Sequence, residues 1–128
     1  MKPVTEEWVE KADGDFRTAG RELRARKLPN FDAACFHAQQ CAEKYLKARL
    51  QESGIPFAKT HNLTVLLDSV LAVEPLWEEF RPMLARLNAF GVEFRYPGET
   101  ADKKTAKEAF KFCSIIRQRA RARLGLKP

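Results

Sequence analysis

One stretch, NFDAACFHAQQCAEKYLKARLQESGIPFAKTHN from Asn30 to Asn62, constrains the fold more than any other, because it spells a long helix with both ends marked. Asn30 can accept from the free amides of a first helical turn, and Asp32 puts a negative charge near the positive end of the helix dipole. At the other end Gly54 can take the left-handed conformation that closes a helix, Ile55 can fold back onto the last turn, and Pro56 forbids continuation. Between these signals Phe31, Cys35, Ala38, Ala42, Tyr45, Leu46 and Arg49 recur at intervals of three and four. That spacing predicts one broad buried stripe. A helix of this kind needs partners, and the remaining segments read as those partners.

Thr5 followed by Glu6 and Glu7 is a helix entry, and Trp8, Ala12, Phe16, Ala19 and Leu23 then repeat at helical spacing as far as about Arg26. Gly14 and Gly20 weaken this helix by about 1 kcal/mol each relative to alanine, so they mark either close helix approach or tolerated surface positions. Leu28-Pro29 ends it. After Pro56 comes a connector, with Thr60 or Asn62 as the cap of a third helix whose apolar face is Leu63, Leu66, Leu67, Val70 and Leu71. Glu74-Pro75 breaks that helix, since a residue before proline is pushed away from helical angles. Residues 76–80 then read as a short turn and 82–95 as a fourth helix that opens on Pro82. Tyr96-Pro97-Gly98 stops it, and a polar loop follows. Thr105 and Glu108 have capping-box spacing and predict the start of a last helix lined by Ala109, Phe110, Cys113, Ile116, Ala120 and Leu124. No strand is expected. Five amphipathic helices with short connections bury their stripes only together, so the predicted fold is all-α: a single domain over 1–128, an antiparallel up-and-down bundle of four or five helices with the Asn30 helix inside.

Composition narrows the function classes. The chain carries 128 residues, enough for one core. Its longest uncharged run, Ala33 to Ala42, is far short of the roughly 18 apolar residues of a spanning helix. Glutamates near the N-terminus argue against a signal peptide. Cys35, Cys41 and Cys113 cannot all pair within one chain and read as reduced core residues, which fits a cytoplasmic location. A formal net charge of +6 favours an anionic partner without naming one.

No residue set forces a catalytic assignment. His37 and Cys41 have the four-residue spacing of helix-borne metal ligands, but a third and fourth ligand are missing, so packing is the better account and no metal or cofactor is expected. There is no Glu-x-x-His pair for a di-iron bundle and no glycine-rich phosphate loop. His61, just before a helix cap, reads as a local hydrogen-bonding residue. His37, Gln40, Lys44 and Lys47 make a polar face opposite the stripe. Arg95 has two readings: a cation that complements a negative helix end, or a planar guanidinium facing a cleft and gripping phosphate, with Tyr96 stacking on a base or donating to the same anion. From Arg117 to Lys127 the chain carries five cations and no acid, either a solubilising helix end or a strip for RNA.

The ordered set HAQQ, AEKYLKA, KTHNL and, some thirty residues later, RYP at Arg95 resembles the HEPN family, named for higher-eukaryote and prokaryote nucleotide-binding domains. The resemblance covers nearly the whole chain. It implies a small helical homodimer that partners a minimal nucleotidyltransferase in a toxin–antitoxin-like pair, with nucleotide or RNA as a further ligand. It makes Arg95 and Tyr96, together with Lys44 and His37 on the Asn30 helix, the candidate contacts to phosphate. Family ribonucleases carry a histidine four to six residues after such an arginine. Here YPGETADKKT follows Arg95 and contains none, so no catalytic residue is expected and the protein is read as non-enzymatic. The alternatives are a HEPN ribonuclease with a divergent site and a non-catalytic RNA-binding bundle.

Overall fold

The computed structural model describes residues 1–128 and contains five α-helices and no strand. They are α1 (Pro3–Arg24), α2 (Phe31–Glu52), α3 (Leu63–Val70), α4 (Arg81–Glu93) and α5 (Lys103–Arg123), with a 3₁₀ turn, Pro75–Phe80, leading into α4. Every other helix packs on α2. The Asn30 side chain accepts from the Ala33 amide, 2.9 Å away, and starts α2. Gly54, at φ 69°, closes it: the Ile55 amide donates to the Leu50 carbonyl at 3.0 Å. Both ends therefore form where the local signals put them.

The interior of α2 departs from a one-sided stripe. Ala34, Cys41, Ala48 and Leu50 are buried along with Cys35, Ala38, Ala42, Tyr45 and Leu46, so the helix is covered nearly all round. Even its polar residues Gln39, Glu43 and Lys47 are buried. Each of these polar side chains is hydrogen-bonded, which is the condition for keeping it inside.

α1 and α2 form an antiparallel hairpin. At one end the Lys2 amide donates to Glu52 Oε1 at 3.0 Å, a bond that lowers the Glu52 carboxyl below its ordinary value. Midway, Asp13 accepts from the Tyr45 hydroxyl and joins Arg117 Nε (3.1 Å) and Arg121 Nη1 (3.0 Å), tying α1, α2 and α5 at one carboxylate. The C-terminal arginines are thus largely spent inside the molecule: Arg117 and Arg121 on Asp13, Arg123 on the buried Glu74 at 2.8 Å, and Arg119 on Glu79 at 3.6 Å. They do not form the free cationic strip that their spacing suggests.

Beyond α2 an extended connector runs back beside it, so that the His61 carbonyl accepts from Gln39 Nε2 at 3.0 Å in the middle of α2. Asn62, not Thr60, caps α3 and accepts from the amides of Thr64 and Val65. Asn88 of α4 crosses over, accepting from the Leu63 amide at 2.8 Å and donating to Asn62. The α5 start lies two residues before Thr105: Asp102 accepts from the Thr105 amide at 2.7 Å, which holds its carboxyl below the ordinary value, while Glu108 turns away to Arg86. The capping box is therefore not made. Gly14 and Gly20 do not mark close helix approach either; an added Cβ would meet only side-chain atoms of Arg17 and Arg24 in their own helix. The close approach is at Gly91 of α4, where a Cβ would stand 2.9 Å from Gln39 Cγ of α2.

Candidate functional site

That close approach builds the floor of a cleft. Because Gly91 has no side chain, α4 settles onto Gln39, and the space that remains between α2, α4 and the His61 connector is a cleft of about 230 Å³. Its lining is polar apart from Val92 and includes Gln40, His61, Asn88 and Arg95.

Arg95 lies just past the end of α4, its amide donating to the Val92 carbonyl at 3.3 Å. Its guanidinium sits 5.3 Å from the centre of the Phe36 ring and makes no ion pair. Stacking on an aromatic face orients a guanidinium without using its hydrogen-bond donors, so all of them stay available to a ligand. Tyr96 follows directly and is exposed, outside the cleft lining.

His61 faces the same cleft. Its side chain is 80% exposed, yet Nδ1 lies 3.1 Å from Oε1 of Glu43, whose side chain is only 3% exposed. An ionised carboxylate can only accept, so Nδ1 carries the proton and Nε2 is left for the cleft. Glu43 is itself neutralised by Lys47 Nζ at 3.0 Å and receives Gln39 Nε2 at 3.3 Å. This is a histidine held in one orientation by a buried charge pair, beside a free guanidinium. The carboxylate lies 18 residues before the histidine and on another element, so the residues around His61 carry no signal of it.

The other two sequence candidates lie elsewhere. His37 Nδ1 is 2.7 Å from Asp15 Oδ1, and Lys44 is paired with the second oxygen of the same carboxylate. Both belong to the strip of α2 turned to α1, and neither lines the cleft. Lys47, expected on the solvated face, is buried against Glu43 and under Trp8, 5.4 Å from its ring. His37 and Cys41 diverge as well, since Cys41 is in the core beside Cys113.

No curated protein and no solved structure matches the chain. A family model described as the HEPN domain does match, over residues 5–123, an interval that reaches from the first turn of α1 to the last residue of α5 and takes in the whole cleft. By that match and by its five-helix architecture, the chain belongs to the HEPN domain family.

Proposed function

We propose that this chain is a HEPN binding and regulatory module whose Arg95–His61 cleft takes a phosphate-bearing ligand, a nucleotide or a segment of RNA. It works as a homodimer beside a minimal nucleotidyltransferase in a toxin–antitoxin-like pair, and catalysis resides in that partner. One observation carries the ligand class: an unpaired guanidinium, aligned on Phe36, borders the same polar cleft as an imidazole oriented by Glu43. The parallel N–H donors of the free guanidinium suit the oxygens of a phosphate, and His61 Nε2 is left to accept from a hydroxyl of the same ligand. The family supplies the partner, because HEPN domains commonly pair with nucleotidyltransferases. Co-expression with a nucleotidyltransferase encoded next to it, followed by size-exclusion chromatography, tests the pairing. Co-elution is expected; separate elution of two folded proteins speaks against it.

A second reading, a ribonuclease with a divergent site, is favoured by His61. An imidazole backed by a carboxylate is the usual proton acceptor for a hydroxyl attacking a neighbouring phosphate, and it needs no histidine after Arg95. The two readings separate in one assay without metal. The binding-module reading predicts no RNA cleavage above that of His61→Ala. Cleavage that persists through purification to homogeneity and is lost in both His61→Ala and Arg95→Ala supports the ribonuclease.

A further inference from the structure

The end of the bundle where α1 finishes and α5 begins carries a second cleft, of about 620 Å³, separate from the Arg95 site. Four cations line it: Arg24 and Arg26 from the end of α1 and its connector, and Lys103 and Lys107 from the first two turns of α5. All four are exposed, none takes part in an ion pair, and no acid lines the cleft. Two carboxylates near this end, Asp32 and Asp102, keep their charge but are turned to backbone and do not line the cleft: Asp32 accepts from the Ala101 amide at 2.7 Å and Asp102 from the Thr105 amide. This contrasts with the opposite end of α5, where Arg117, Arg119, Arg121 and Arg123 are all matched to acids. Four unpaired cations therefore converge on one cleft at this end, while the arginines at the other end of α5 are paired.

The floor between the cations is apolar. Leu23 and Phe31 are half-buried there, and Pro29 completes it. On the same connector Leu28 is 95% exposed and holds φ at 46°, a backbone region that non-glycine residues rarely adopt. Leu28 does not line the cleft itself but stands on the connector beside it, an exposed apolar side chain next to Arg26 and Lys27 at a backbone outlier of the sort that clusters at functional sites.

We propose that this cleft binds single-stranded nucleic acid, with backbone phosphates on Arg24, Arg26, Lys103 and Lys107 and an unstacked base or ribose against Phe31 and Leu28. Cations on both sides of an apolar, partly aromatic floor are the arrangement by which proteins hold single strands, since every base has an apolar face and every linkage a charge. A duplex keeps its bases stacked and would reach the cations but not the floor.

The test uses the full chain and a fluorescently labelled single-stranded RNA of about twelve nucleotides, followed by anisotropy between about 50 and 200 mM salt. Arg26→Glu and Lys107→Glu are compared with Lys11→Glu, which makes the same change in net charge on α1 away from this cleft. Each cleft reversal is expected to weaken RNA binding about five-fold or more and to lower the salt slope by about one, whereas Lys11→Glu shifts affinity less than about two-fold. A duplex of equal length is expected to bind more weakly than the single strand, and Phe31→Ala to erase that preference. Equal losses in all three charge variants, or a preference for duplex, overturns the proposal. So does binding to vesicles containing phosphatidylserine that exceeds binding to RNA. Arg95→Ala is run alongside: if RNA affinity follows Arg95 and ignores Arg26 and Lys107, this cleft is not a nucleic-acid site, while the Arg95 reading stands.

Discussion

Glu43 is the side chain on which the most depends, since it neutralises the buried Lys47, receives Gln39 and orients His61. Glu43→Ala leaves an ammonium buried without a counter-charge, and the expected loss is about 3–5 kcal/mol in denaturant unfolding. Glu43→Gln removes the same counter-charge from Lys47 and should also destabilise, by less than Glu43→Ala because the helix stays filled, and it too takes the anionic partner from the imidazole. The buried thiols give a second prediction. Burial pushes Cys35 from 9.0 up to about 12, with Asp32 and Asp102 adding to the shift, and Cys41 is raised in the same direction. A raised folded value means that this contribution to stability is complete below the unfolded thiol's pKa and is lost as pH rises, since the unfolded chain releases protons that the folded chain retains. Stability measured by urea unfolding should therefore fall above about pH 9, and Cys35→Ala should flatten that fall. A decline of equal steepness in the variant would assign it to other groups.

At the scale of elements, legibility depended on whether a signal was local. Asn30 and Gly54 act within four residues of themselves, and the boundaries of α2 were readable for that reason. Thr105 and Glu108 have the right spacing too, but Asp102 reaches the Thr105 amide first and Arg86 takes Glu108 from across the bundle. The arginines of α5 failed as a strip for the same reason: their partners Asp13 and Glu74 come from α1 and from the segment before the 3₁₀ turn, which no window of α5 contains. Of the site, Arg95 could be singled out from its place beside a proline-glycine turn, whereas His61 depends on a carboxylate one helix away. Asn62 joins the two scales, since it caps α3 and accepts from Asn88 of α4 at 2.8 Å. Asn62→Ala should cost about 1–2 kcal/mol, read as a lower melting temperature. An unchanged melting temperature would mean that water replaces the cap without loss.

For the whole molecule, the packing of every helix on α2 explains why one well-marked helix was enough to predict an all-α bundle. It also houses the large aromatics within a single chain. Trp77 is 2% exposed and Phe94 stacks on Phe90 at 6.1 Å, so these aromatics are not surplus to one bundle. The apolar side chains left outside are smaller in number, with Val92 on the cleft rim and Tyr96 beside Arg95 among them. A homodimer that covers this edge is expected in sedimentation at tens of micromolar, and Val92→Glu should weaken it; a monomer at that concentration contradicts it. The most direct test of the central claim is a titration of labelled nucleotide and short RNA against the unmutated protein, Arg95→Ala and Arg95→Lys, with the melting temperature of each. Arg95 makes no ion pair, so both variants should melt within a few degrees of the parent. A charge-assisted contact to phosphate is worth about 1.5–3 kcal/mol, so Arg95→Ala should lose ten-fold or more in affinity, and lysine, a point charge without the planar fork, should recover only part of it. A large drop in melting temperature with unchanged affinity would make Arg95 a structural residue and contradict the ligand cleft.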